Sequence, residues 1–320
     1  MSDAYWNDMC HLAGGVPYRC GLGHGERRAM APQSPAVARW ELSYRLRRRR
    51  EDLGITGPQL AKDLGFSRTY WPKIERDQRI LTEDKLTALL ALLDFPDGER
   101  VELLQLRSLA RQRAWWNSYE GLFSEEQLRL WGLEAGAEEV STAECLLIPG
   151  LLQTESYARA LITADTAFIR QIEVDQRVEA RMRRQERLSD SDPLRLNAVV
   201  SEAALRQRTG GVDVLRGQLH HIIEMIDNHP DTIDFRVLPF ESATGAIFGC
   251  STFHILGFTR PQQPTLGWSE ALDWGELIED ENRMRMLTVG FGHLQSCALT
   301  QEESRTLITR LADSLESVRR

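Results

Sequence analysis

The sequence predicts a mainly helical protein in two parts, a small N-terminal helical bundle and a larger α+β domain behind it. Three observations carry this expectation. Between residues 36 and 116, apolar residues recur at helical spacing in five successive segments separated by glycines and capping residues. After Trp116 the pattern changes, and β-branched or aromatic runs appear at 140–148, 194–200, 232–238, 247–258 and 265–271. Helices mixed with a run of sequential strands are the signature of an α+β domain, and 320 residues suffice for two cores.

Residues 1–35 are rich in glycine, proline and small residues without periodicity, and predict a disordered tail. Met30 directly precedes the organised part and is an alternative start. The first helix, 36–53, carries Val37, Trp40, Leu42, Tyr44 and Leu46 and stops at Gly54. Thr56 caps a second, short helix with Pro58 in its first turn and Leu60, Ala61 and Leu64 as its apolar stripe. Gly65-Phe66 makes a tight turn. Ser67 is expected to cap a third helix reaching about Arg76. Amphipathic helices follow at 82–93 and 97–116. The expected division is a bundle over 36–95, a connecting helix over 96–123 and the α+β domain over 124–320. In that domain, helices are expected at 124–139, 153–164, 172–188 and 212–228, and again over most of 278–317.

Composition narrows the class. No stretch approaches the roughly 18 uncharged apolar residues of a membrane span, and no secretory signal opens the chain. A cytoplasmic protein with no membrane partner is expected. The five cysteines are scattered and odd in number, so they read as reduced thiols rather than a disulfide framework. Cys10, His11, Cys20 and His24 lie too far apart for a paired zinc motif. The net charge of −8 is unevenly spread. Residues 36–80 hold eleven Lys/Arg against six Asp/Glu, whereas 81–320 hold 25 against 38. A polyanion would attract the first segment and repel the second.

The segment from Thr56 to Arg76 explains where such attraction would act. Two short helices joined by a three- to four-residue turn cross steeply, with Leu60, Leu64, Trp71 and Ile74 in the wedge between them. This is a helix-turn-helix. Its third helix would place Ser67, Arg68, Thr69 and Tyr70 in the turn that enters the major groove, and Arg68 suits guanine O6 and N7. Lys73 lies one turn on, within reach of a base edge or phosphate. Thr56 and Gln59 stand at the second helix's start, where phosphate binds, and Arg76 and Arg79 follow the recognition helix. Arg45 and Arg47–Arg50 are expected to add non-specific attraction.

Gln59-Leu60-Ala61, Gly65-Phe66-Ser67 and Lys73-Ile74-Glu75-Arg76 resemble the phage-repressor-like helix-turn-helix domain, which implies a lambda-repressor-like bundle of four or five helices. Two departures stand out. Pro72 sits inside the expected recognition helix, where it would remove the bond to the Arg68 carbonyl. Asp77 stands where that family usually has glycine. Further on, Ile148-Pro-Gly-Leu-Leu-Gln-Thr154, Tyr157-Ala158-Arg159-Ala160, Glu202-Ala203-Ala204-Leu205 and Phe253-His254-Ile255-Leu256 are similar to the actinobacterial WhiJ-like regulators. In those a repressor-type helix-turn-helix precedes an antitoxin-like domain. The resemblance implies a transcriptional regulator, often encoded beside a small partner protein, and supplies no ligand.

Two readings of the residues 148–154 stay open, a packing motif or a pocket for a small molecule or partner. Trp115, Trp116, Tyr119 and Trp131 are expected in interdomain core. Arg177, Arg181 and Arg184, interleaved with Glu173, Glu179 and Glu186, are expected as a solvated, ion-paired face. No phosphate loop, nucleophile elbow or metalloprotease pair is present. His220, His221, His254 and His293 read as ordinary histidines, so neither catalytic residues nor a cofactor or metal are expected. Convergent ionisable groups in a pocket of the second domain would instead mark an enzyme. The expected function is sequence-specific binding of double-stranded DNA by a homodimeric regulator, working with a small protein partner or ligand sensed by the C-terminal domain. The alternative is an antitoxin-like interaction protein that sequesters a small partner, with DNA binding only autoregulatory.

Overall fold

The computed structural model describes residues 34–67, 69–242, 252–260, 263–270 and 275–317. The expected tail, with Met30 and its cysteines and histidines, therefore lies outside the described residues but for its last two positions, as does Arg68. Chain order begins with five helices: α1 (Pro35–Asp52), α2 (Gly57–Asp63), α3 (Tyr70–Glu75), α4 (Glu83–Leu92) and α5 (Asp97–Ala110). Ser34 starts α1, its Oγ accepting the N–H groups of Ala36 and Val37 at 3.2 and 3.5 Å. Gly54 ends it at φ +67°. Leu42, Leu46, Leu60, Trp71, Ile74, Leu86, Leu89 and Leu93 form the bundle core. The helix expected to connect the two parts adds Leu103, Leu106 and Ala110 to that same core. It ends at Ala110, and residues Trp115–Tyr119 form a separate 3-10 turn.

Helix α1 is apolar on two sides. Ala38, Leu42 and Leu46 face the bundle, while Val37 and Trp40 enter the core of the second domain. A helix buried on both sides cannot be lifted from either part without exposing apolar surface.

The second domain opens with α6 (Glu125–Ala135), capped by Ser124, and continues through β1 (Glu139–Glu144), α7 (Glu155–Ala164), α8 (Val174–Gln185) and β2 (Arg195–Ser201). Next come α9 (Glu202–Arg206), α10 (Val212–Asn228) and β3 (Ile233–Leu238). The chain closes with β4 (Phe253–Gly257), β5 (Leu266–Glu270), β6 (Gly275–Ile278), α11 (Glu281–Cys297) and α12 (Gln301–Ser317). The six strands form one mixed sheet in the order β3-β2-β1-β4-β5-β6. β1, β2 and β3 are parallel, joined by helices, and β4, β5 and β6 run as an antiparallel meander from the other side of β1. Leu196, Ala198, Phe235 and Leu256 pack under α6, α8, α10 and α12, and Ala143, Val199 and Phe253 pack under α11.

The protein is thus mostly helical, with a helical N-terminal region and a mixed α/β domain behind it. The fourth expected strand begins at Phe253, residues 247–251 lying outside the described residues, as does Ala271. β6 was not anticipated. Its four residues bury only Ile278, too short a pattern to register.

Candidate nucleic-acid interface

The helix-turn-helix is built by α2 and α3. Thr56 Oγ1 accepts the Gln59 N–H at 3.3 Å, so the predicted cap forms. Gly65 turns the chain at φ +66°. Leu60, Trp71 and Ile74 are buried and Leu64 half-buried, filling the wedge as expected.

The recognition helix is shorter than the sequence implied. It starts at Tyr70, with Thr69 as its N-cap and no side-chain cap bond. Ser67 does not cap it; its hydroxyl lies 3.3 Å from that of Thr69, in the turn. Pro72 consequently sits in the first turn, where its missing N–H would have had no intrahelical partner, so no bond within the helix is lost. Asp77 takes the left-handed conformation in place of glycine, at φ 53°. It is buried, and Arg129 of α6 donates to its Oδ2 from Nη2 at 2.7 Å and from Nε at 3.1 Å. Burial outweighs that arginine and raises the Asp77 carboxyl above the ordinary aspartate range.

Thr56, Gln59, Ser67, Thr69, Lys73, Arg76 and Arg79 are all exposed, and Tyr70 is half-buried. Gln59 spends its amide on Asp63 at 2.9 and 3.1 Å. Tyr70 stacks obliquely on Phe66, with ring centres 4.9 Å apart. The Arg79 guanidinium lies 5.8 Å from the Tyr70 ring centre. Lys85, an exposed residue of α4 that sequence reasoning passed over, brings Nζ within 5.3 and 5.4 Å of the Phe66 and Tyr70 rings. Its only sequence signal was its being one of three lysines.

The α1 arginines behave otherwise. Arg45 pairs with Glu99 and Glu102, Arg50 with Glu75, and Arg47 with Glu279 of the second domain. Arg49 donates to the Leu93 and Asp94 carbonyls. Only Arg48 is largely exposed, with a loose contact to Asp52 at 3.7 Å. Arg45, Arg47 and Arg50, expected to add non-specific attraction, are thus paired with carboxylates of the fold, whereas Arg49 is held by neutral carbonyls.

Those pairs also anchor the interface to the second domain. Trp40 Nε1 donates to Glu279 Oε1 at 2.8 Å, and Glu41, almost fully buried, accepts from Gln263 at 2.7 Å and from Arg260. Trp115 stacks on Trp131 at 5.8 Å, and Trp116 and Tyr119 complete that cluster in the core that includes Val37 and Trp40. The arginines of α8 are not a solvated face. Arg184 and Arg181 turn inward, and of the interleaved glutamates Glu173 pairs with Arg177, while Glu179 accepts from Tyr119. His220 and His293 are exposed, whereas His254 is buried in β4 and burial lowers its pKa.

Among the described residues no helix is long and apolar enough to cross a membrane, and no group of three or more metal-ligating side chains converges. Residues 41–103 match a family described as a helix-turn-helix domain, and residues 127–310 match one described as a domain of unknown function, DUF5753. No curated protein and no solved structure matches the chain. The second match spans more than half of the sequence, and the chain belongs to the DUF5753 family, carrying a DNA-binding helix-turn-helix domain in front of it.

Proposed function

We propose that this protein is a sequence-specific transcriptional regulator that binds double-stranded DNA as a homodimer and reports the state of its C-terminal domain through the recognition helix. The observation that carries the reading is the exposed cation Lys73 on a helix whose Trp71 and Ile74 are buried, with the exposed Arg76 and Arg79 following that helix. Ser67, Arg68, Thr69 and Tyr70 would meet base edges, Lys73 a base or phosphate, and Thr56, Gln59, Arg76, Arg79 and Lys85 the backbone. A single module of this size buries too little surface for useful selectivity, hence a two-fold pair on a two-fold site.

Sensing by the second domain has its own support. Helix α6 holds Asp77, behind the recognition helix, through Arg129, and holds Arg184 of α8 through Glu134. One rigid element thus touches both the DNA-reading corner and the interior of the α/β domain. A ligand or a small partner protein that displaces Arg184 would act on α6 directly.

The test is fluorescence anisotropy with DNA from upstream of the gene, across a salt series. Wild type should bind with a steep salt dependence, and Arg68→Ala with Lys73→Ala should flatten it. Unchanged affinity and slope in the double variant would refute the assignment.

A further inference from the structure

Helix α5 closes the bundle with one face and carries a neutral stripe on the other. Leu103, Leu106 and Ala110 are buried in the bundle core. The charged side chains of the helix lie to either side and are engaged close by. Arg107 donates to the Leu81 carbonyl at 2.8 Å and pairs with Glu83 at 3.2 Å. Glu99 and Glu102 hold Arg45, and Asp97 lies 3.5 Å from Arg100. On the side away from the core stand Val101, Leu104, Gln105, Ser108, Leu109 and Gln112. At 3.6 residues per turn these six fall within about 140° of the helix circumference. The outer face of a surface helix ordinarily carries charge.

The stripe lines a groove of about 420 Å³, whose remaining wall is Glu83 at the start of α4. Val101 is 56% exposed, and Leu104 and Leu109 pack partly buried against the bundle core. Gln112 lies past the end of the helix, yet its N–H donates to the Leu109 carbonyl at 2.9 Å and continues the turn. An uncharged groove with exposed apolar side chains marks a contact surface.

The order of residues along the stripe indicates what fills it. Reversed about the midpoint between Leu106 and Arg107, Val101 falls on Gln112, Leu104 on Leu109 and Gln105 on Ser108. Leucine meets leucine and amide meets hydroxyl, so the face complements itself in an antiparallel sense, as a two-fold contact between identical surfaces requires. Charge follows the same rule. The exposed acids Asp97 and Glu102 stand towards the start of the helix, and the exposed Arg111 and Arg113 follow its end. Antiparallel copies bring these opposite charges together, whereas parallel copies would set like charges side by side. The helix dipoles favour the same arrangement.

We propose that the outer face of α5 is the homodimer contact, each copy laying its stripe antiparallel against the groove of the other. The inference rests on the DNA-binding homodimer proposed above and names its surface. Lys85, two residues from Glu83 on α4, lies over the Tyr70 ring of the recognition helix. The contact therefore joins bundle to bundle, and it sets the spacing of the two recognition helices without passing through the second domain.

Sedimentation equilibrium of the full chain, alone and with DNA from upstream of the gene, tests it. Wild type should form dimers, with two chains in each DNA complex. Position 105 lies one and a half residues from the midpoint, about 2 Å along the helix. Gln105→Glu thus sets two carboxylates beside the two-fold axis and should weaken dimerisation about a hundredfold or more. Val101→Glu buries a charge against Gln112 and should do the same. Adding Ser108→Lys to Gln105→Glu should restore the dimer, because each glutamate then faces a lysine of the other copy. All three positions are exposed, so the variants should fold, and circular dichroism checks that they do. A wild type that is monomeric under both conditions overturns the proposal and the homodimer with it, and leaves DNA binding to the anisotropy test. A dimer that Gln105→Glu and Val101→Glu leave intact overturns the α5 contact and keeps the homodimer. Dissociation that Ser108→Lys does not reverse overturns the antiparallel pairing.

Discussion

Helices α3 and α8 both carry cations at helical spacing, and the two use them in opposite ways. Lys73, on the outer side of a six-residue helix whose inner side is core, and Arg76, its C-cap, are exposed among the described residues. Arg181 and Arg184 stand on the inner side of a twelve-residue helix, where Glu134 of α6 pairs with Arg184 and Gln153 accepts from Arg181. The α1 arginines are intermediate, half-buried and paired mostly with glutamates or carbonyl groups of their own bundle. A basic run is thus no measure of polyanion affinity; what matters is which cations the tertiary structure leaves uncovered.

The largest effect that would break this comparison lies in α8. Arg184→Met should destabilise the fold by about 3–5 kcal/mol, because it strands the buried Glu134 carboxylate. Chemical denaturation reads the loss, and adding Glu134→Gln should return most of it. Next comes Glu144→Gln. Burial raises this carboxyl from its ordinary value of 4.5 to about 7, so the native state holds a proton that the unfolded chain releases. Native stability then falls as pH rises between those values and levels off above the higher one. The glutamine variant should gain up to about 3 kcal/mol at alkaline pH and little at acid pH, seen as a melting-temperature difference that opens with pH.

On the outer helix, Lys73→Ala and Arg76→Ala should each cost about tenfold in DNA affinity and lower the salt slope by about one per lost phosphate contact. Their melting temperatures should match wild type, since both side chains are exposed. The smallest effect belongs to α1. Arg49→Ala should cost about 1 kcal/mol in stability, through its bonds to the Leu93 and Asp94 carbonyls, and leave the salt slope unchanged.

Much of this organisation is legible in the residues. Thr56, Gly65, Leu60 and Trp71 announce the helix-turn-helix because caps, positive-φ turns and wedge residues are local requirements. The helix at 212–228 was readable to the residue, having a long apolar stripe. The start of the recognition helix was not, because a serine before a helix signals a cap whether or not the chain adopts one. The position of Lys85 was illegible, since only the packing of α4 brings it beside Phe66 and Tyr70.

By itself the sequence determined the two-part architecture, the helix-turn-helix and most of the strands, since these follow from periodicity, capping and glycine positions within a few residues of one another. Only the tertiary structure decided which arginines remain free, which way α8 faces, and that Asp77 and Trp40 tie the reading helix's bundle to the second domain. Those outcomes depend on partners dozens to hundreds of residues away, and no local pattern encodes the distance between side chains that the fold alone brings together.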